Sequence, residues 1–391
     1  MRAFVTPDRS LHLRTARLPP PRRRVATLVA GLVALLAAVS PVRALSPEGI
    51  VFFDPAARAA ELARPDRAVA RDACLAVARD PAWADLPPLP ALEPTDGYGS
   101  DGRTAPFSWA VMVLGGRALA GDKDAAADLT RLLTRWAEAD ALAATPVSHD
   151  PYYALKRTLL PTIAAYAIVR PGLSAGERAR IDDWLGDLVP RVDQTFDGDV
   201  DRNNHRYLAD SVLMAWGALV GDEALYDKGL ARYRAALADA RDDGSLPLEA
   251  RRGARALWYT RHALTSLVVI AEIAKAHGDD LYGASVEGRG FDLVLSFLTN
   301  GLAAPALAEL YAAANVIPGP SDDFRTQDLG FLAERAHGRN YMAFVEAIRL
   351  LPPRTAPRRL IALRFDTRTA AERPLIDEYV GGNATCFWAQ E

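Results

Sequence analysis

Apolar residues recur at spacings of three and four along most of this chain, in blocks that run Phe107 to Ala120, Lys123 to Ala139, Tyr152 to Val169, Ala175 to Gln194, Asn204 to Val220, Glu223 to Arg241, Arg255 to His277 and Leu293 to Ala314. That period marks amphipathic helices, and strand-like alternation is nearly absent. Ala120-Gly121-Asp122, Arg170-Pro171-Gly172 and Val220-Gly221-Asp222 punctuate the blocks as short turns. Links this short make neighbouring helices antiparallel pairs, so the pattern predicts an all-α architecture, either an α-solenoid or an incomplete toroid. A Pro- and Ala-rich arm precedes the pairs, with a helical pattern from Ala56 to Arg79 and the extended run Leu86-Pro87-Pro88-Leu89-Pro90. Short β-like pieces, Arg358 to Phe365 and Ile376 to Phe387, predict a C-terminal cap, and one domain over 45–391 is the simplest account.

The first forty-four residues follow another pattern. Arg22-Arg23-Arg24 precede an apolar run from Val25 to Val39 and then Pro41-Val42-Arg43-Ala44, as in a secretory leader cleaved after Ala44. The run is shorter than the roughly twenty residues that span a bilayer, so no stable membrane insertion is expected after cleavage and the mature protein is expected in the periplasm or secreted. Residues 1–44 hold eight Arg and one Asp; the remainder carries 38 basic against 48 acidic side chains, a net charge of −10 with His neutral. Such a body is not built for nucleic acid, and a polyanion would have to bind a local basic patch. The two cysteines, Cys74 and Cys386, can pair in an exported protein or remain buried thiols; spacing alone leaves both open.

Two polar stretches interrupt the helical text. Arg202-Asn203-Asn204-His205-Arg206-Tyr207 enters a helix for which Asn203 is the expected N-cap, with helix-start N–H groups on offer to an anion. About fifty residues later come Leu246-Pro247-Leu248-Glu249 and the helical spacing of Arg252, Arg255 and Tyr259, which puts these three on one face. A salt-bridge ladder and a core tyrosine would also explain that face. The alternating Asp197, Asp199 and Asp201 lack the glutamate a calcium loop needs at its twelfth place, where Leu208 stands, so no metal and no cofactor is expected.

Together these groups meet the needs of β-elimination on a uronic acid. Removing the weakly acidic C5 proton requires that charge building on the carboxylate be stabilised, which Asn204, His205 and an arginine can do. A tyrosine among guanidiniums can take the C5 proton as a phenolate and return one to O4 as a phenol. One tyrosine serves both steps where H5 and O4 share a face of the sugar; where they are opposed, His205 is the natural base.

These residues carry a resemblance. The Arg202–Tyr207 stretch, Leu246–Glu249, Arg252, Arg255-Ala256-Leu257 and Tyr259, with Gly381-Gly382-Asn383-Ala384-Thr385 further on, are similar to the alginate lyase family, polysaccharide lyase family 5, and to related polyuronate lyases such as glucuronan lyases. The resemblance implies an (α/α) toroid and metal-independent cleavage of an acidic polysaccharide, a 1,4-linked polyuronate. It assigns the carboxylate-neutralising pair to Asn204 and His205, the catalytic arginine to Arg252 and the acid/base to Tyr259. Tyr98, Arg103, Tyr153, Lys156, Arg202, Asn203, Arg206, Tyr207 and Arg255 are the substrate-binding candidates.

Two departures bear on the substrate. The family's Lys-Tyr-Glu-Gly-Ser-Asp loop reads Asp96-Gly97-Tyr98-Gly99-Ser100-Asp101 here, leaving Arg103 or Lys156 to replace the lysine, and the histidine after the catalytic tyrosine is Thr260, with His262 two places on. The competing expectations are an inverting glycoside hydrolase, drawing two carboxylates from Asp201, Glu249 and Asp322 or Asp323, and a non-catalytic periplasmic protein that binds an acidic polysaccharide.

Overall fold

Aspartates and serines start many of these helices. Asp54, Asp122 and Asp222 each accept a backbone N–H three residues on, and Ser174 forms a reciprocal capping box with Glu177. The computed structural model describes residues 45, 49–95, 101–199, 201–314, 326–333, 339–352, 355–361 and 372–390. The proposed leader, Tyr98, Asp322 and Asp323 lie outside them.

The helices are α1 (Pro55–Leu62), α2 (Ala68–Leu75), α3 (Asp101–Leu119), α4 (Lys123–Glu138), α5 (His149–Val169), α6 (Ala175–Leu188), α7 (Asn204–Val220), α8 (Glu223–Asp239), α9 (Pro247–Ala250), α10 (Ala256–Ala276) and α11 (Phe291–Ala303), followed by shorter turns. They sort into two layers by how much of their circumference is apolar. α5, α7 and α10 bury almost every position, so they are the inner helices. α4 and α8 each bury a single stripe, as in Leu129, Leu132, Leu133 and Trp136 of α4, and cover the inner layer from outside. α7 packs against α5 on one side and α10 on the other, and α8 returns antiparallel to it. At Gly217 the two helices come so close that a Cβ would sit 2.5 Å from the Tyr226 nitrogen.

Three helical blocks are shorter than the periodicity predicts, each because a proline removes an N–H and clashes with the preceding turn. Pro65 splits the Ala56–Arg79 pattern into α1 and α2, α6 ends at Leu188 before a 3-10 stretch containing Pro190, and α11 ends at Ala303 before Pro305. The cap also differs from expectation. Residues 356–361 are helical, while β3 (Ile376–Asp377) and β4 (Gly382–Asn383) form one antiparallel pair before a last helical turn, Ala384–Trp388. A second small hairpin joins β1 (Ser285–Val286) to β2 (Arg289–Gly290).

Cys74 and Cys386 are joined in a buried disulfide, Cα atoms 5.4 Å apart, which ties α2 to the last turn. Arg58 reinforces that tie by donating to the carbonyls of Cys386 (2.9 Å) and Ala389 (2.6 Å). The N-terminal arm and C-terminal cap are thus one structure, and Tyr379 is carried on it.

Candidate active site

The first turns of the three inner helices meet at one end of the layer. α5 brings Tyr153 and Lys156, α7 brings Asn204 and His205, and α10 brings Tyr259 and His262, with Arg252 on the turn before α10 and Tyr379 from the cap.

The start of α7 is held by side chains. Asn203 caps it, accepting from the His205 N–H at 3.0 Å, and Glu249 on α9 accepts the Asn204 N–H at 2.5 Å. The next two N–H groups, of Arg206 and Tyr207, bond the Asn203 carbonyl. The expected offer of free helix-start N–H groups to an anion is therefore not met, because the protein itself takes all four. Asn203 is buried and its side chain serves the backbone.

The His205 imidazole stacks on Phe196, centroids 4.6 Å apart and rings 3° from parallel, with the Tyr153 ring edge-on at 4.7 Å. Phe196 sits in the left-handed region at φ 61°, a conformation that costs a bulky residue energy and persists where the surroundings impose it. Burial, then the neighbouring Lys156 and Arg252, hold the His205 imidazole well below its ordinary pKa, so it is neutral at pH 7. It is thereby suited to sharing a hydrogen bond more than to storing a proton.

Arg252 lies with its guanidinium carbon 3.7 Å from the Tyr259 ring centroid. Its side chain is buried, and Nε and Nη1 have no hydrogen-bond partner among the described residues. Buried guanidinium N–H groups are costly when unmatched, and here two belong to one residue beside the tyrosine. The common helix face expected for Arg252, Arg255 and Tyr259 does not form. α10 begins only at Ala256, after a 3-10 turn at Gly253–Arg255 in which Gly253 adopts φ +57°. Arg255 turns away to Asp328 (3.3 Å) and stacks over Trp258, while Arg252 reaches Tyr259 from outside the helix.

Of the other candidates, Lys156, Arg206 and Tyr207 are placed in structural roles, while Arg202 and Arg103 stay at the surface. Lys156 is fully buried, donates to the His205 carbonyl at 2.8 Å and lies 3.7 Å over the Phe196 ring; burial pushes its pKa well down. It stands behind His205 and does not replace the loop lysine as an exposed charge. Arg206 is locked between Asp193 and Asp210, and Tyr207 is a core residue whose hydroxyl pKa is raised by burial, which removes both from a substrate-facing position. Arg202 is exposed and pairs with Asp197 and Asp199, and Arg103 is exposed near the start of α3. Asp201 lies 3.9 Å from His149, and Glu249 is spent on the α7 backbone.

Tyr379 and Arg261 carry no sequence signal of their own, and His262 was marked only by its place two residues after Thr260. Tyr379 shares a hydroxyl hydrogen bond with Tyr153 and sits 4.5 Å from His262 between ring centroids; burial raises the pKa of both phenols. Arg261, fully buried, stacks over Tyr341 at 4.4 Å and is pushed down to about 10 by that burial. His262 accepts from Trp258 Nε1 at 3.0 Å and lies 3.4 Å from the Asn204 amide. Among the described residues no cluster of His, Cys, Asp or Glu is placed to hold a metal ion, and no helix is long and apolar enough to cross a membrane. A cavity of about 860 Å³ exists between α4 and the C-terminal end of α5, including Thr130, Arg131 and Ile168. Fifteen residues of helix, about 22 Å, separate Ile168 from Tyr153, so this cavity is not part of the site.

Inner and outer helix layers with a polar centre at the inner helix starts define an (α/α) toroid of the polysaccharide lyase type. The fold matches alginate lyase A1-III of Sphingomonas species A1, solved as a His-to-Ala variant complexed with tetrasaccharide, with a TM-score of 0.69 at 23% identity, covering 89% of this chain and 97% of that one. The profile of the family described as alginate lyase matches residues 77–307, and the chain belongs to that family. A polysaccharide lyase of Stenotrophomonas maltophilia is 33% identical over 202 residues, 51% of this chain and 60% of that protein. An alginate lyase of Pseudomonas syringae pv. syringae is 32% identical over 158 residues, 38% of this chain and 42% of that one. The chain spans about half the length of the curated relatives it matches.

Proposed function

We propose that this protein is a polysaccharide lyase that cleaves a 1,4-linked polyuronate by β-elimination. The observation that carries this reading is the buried Arg252, with two unmatched N–H groups, stacked on Tyr259 beside Asn204 and a neutral His205. A uronate carboxylate bound there would accept from Arg252, Asn204 and His205, and these bonds strengthen as charge moves onto it in the transition state. Tyr259 takes the C5 proton and gives one to O4, and the C4–O4 bond breaks as the C4–C5 double bond forms. A depressed His205 is a poor general base, which favours the single-tyrosine route and hence sugars whose H5 and O4 lie on one face. Mannuronate and glucuronate have that arrangement; guluronate and galacturonate do not. Polymannuronate (in alginate) and glucuronan are the substrates we expect. The relatives named for alginate support the first of these.

We place the mature enzyme in the periplasm or outside the cell, a reading supported by the pattern of residues 1–44 and by the Cys74–Cys386 bridge, since such bridges persist in oxidising compartments. The test is absorbance near 235 nm, roughly where a C4–C5 double bond conjugated to the carboxylate absorbs, on polymannuronate, polyguluronate, glucuronan and polygalacturonate. Polymannuronate or glucuronan should respond, and Tyr259→Phe should slow that response by about 10²-fold or more. New reducing ends without absorbance would mean hydrolysis, and binding without either product would mean a non-catalytic protein.

A further inference from the structure

Trp258, His262 and Asn204 form a chain whose proton positions can be deduced. An indole N–H only donates, so the 3.0 Å contact from Trp258 Nε1 makes His262 Nε2 an acceptor. That excludes both the imidazolium and the tautomer protonated on Nε2. The remaining form carries its proton on Nδ1, which faces the Asn204 amide at 3.4 Å. With Asn204 Nδ2 toward the ring, two donors would oppose each other, and Oδ1, on the other side, would be buried with no partner among the described residues. Turning the amide by 180° cures the opposition: Nδ1–H then donates to Oδ1. The two ends of an amide are nearly alike in shape, so the network decides which faces where.

We propose that Trp258 and His262 are positioning residues that hold the Asn204 amide with its oxygen toward His262 and its NH₂ turned to donate to a ligand carboxylate. The proposal rests on the lyase reading for what the NH₂ serves, and on geometry alone for how it is held. The Asn204 backbone is itself held, its N–H bound to Glu249 at 2.5 Å. The spacing is economical: Trp258 and His262 are one turn apart on α10 and flank Tyr259, so the helix that carries the acid/base also orients the carboxylate's partner.

Two measurements test it. In protein labelled with ¹⁵N-histidine, the His262 resonance, identified by its loss in His262→Asn, should show a protonated Nδ1 and a bare Nε2 from pH 6 to 8. A protonated Nε2 overturns the proposal, whatever the activity. In kinetics, His262→Leu should lower kcat about tenfold or more with KM nearly unchanged, and His262→Asn, whose amide can still donate toward Asn204, should recover most of the loss. Placed in an Asn204→Ala background, His262→Leu should cost nothing further. Losses that multiply in that background, or no recovery with Asn, defeat the positioning role. Trp258→Phe supplies a check should His262→Leu fold poorly: with the donor gone, His262 should become a mixture of tautomers, and a tautomer unchanged from wild type counts against the chain. If the wild-type protein is silent on every polyuronate, the lyase reading fails and the ¹⁵N result still decides the arrangement.

Discussion

Glu249 is the buried acid whose removal says most about how the site is built. Its side chain is 1% exposed, Oε1 accepts the Asn204 N–H, and Oε2 has no partner among the described residues. Burial raises its pKa from 4.5 to about 7, against the opposing pull of Arg252 and of the Asn204 N–H. Because the folded pKa lies above the unfolded one, the folded state binds more protons between these values, and stability falls as pH rises through that window. The loss begins near pH 4.5 and is complete just above pH 7. A shift of about 2.5 units corresponds to about 3 kcal/mol at 1.36 kcal/mol per unit. Glu249→Gln keeps an oxygen for the Asn204 N–H and cannot ionise. Urea unfolding of both proteins between pH 4.5 and 8 should therefore show the stability of Gln relative to Glu rising by about 3 kcal/mol across the range. Other titrating groups are common to both proteins and cancel in the difference. A flat difference, or one that falls with pH, would refute the claim that Glu249 ionises against its burial.

Lys156→Met removes an amine whose pKa burial pushes well down, so the unfolded state of the wild type binds more protons and the wild type loses stability as pH falls below about 10.5. The advantage of Met over Lys in thermal unfolding should accordingly be larger at pH 8 than at pH 10. Replacing Cys74 and Cys386 together by Ala should cost about 2–5 kcal/mol, read as a lowered urea midpoint, because the bridge spans 312 residues of chain and removes loop entropy from the unfolded state. The same variant should lose activity at temperatures below its unfolding midpoint, since the bridge anchors the segment that presents Tyr379 to Tyr153 and His262.

Period-three-and-four apolar spacing determines helices wherever it holds, since burial of one stripe is a local demand, and so α7 runs from Asn204 to Val220 as the pattern alone predicts. Prolines inside that pattern mattered more than the pattern shows: Pro161 is tolerated within α5, whereas Pro65 and Pro305 end their helices. The stretches that hold Asn204, His205, Arg252 and Tyr259 were also legible, because each gathers more polar capacity at a helix start than packing requires. Helical spacing failed for Arg252 and Arg255, because α10 starts after both and the intervening turn leaves Arg252 over Tyr259 and Arg255 at Asp328. Only the tertiary structure decided which polar groups the protein itself consumes. Arg206, Lys156 and Glu249 resemble substrate contacts or catalytic acids in sequence, yet Asp210, the His205 carbonyl and the Asn204 N–H claim them. It alone decided that Phe196 and Tyr379 belong to the site, and it placed His262, marked in the sequence only by its position after Thr260, against Asn204. The chain brings Tyr379 more than a hundred residues back to α10, and no local pattern encodes a contact whose free energy is gained only after the inner helices and the cap have packed together.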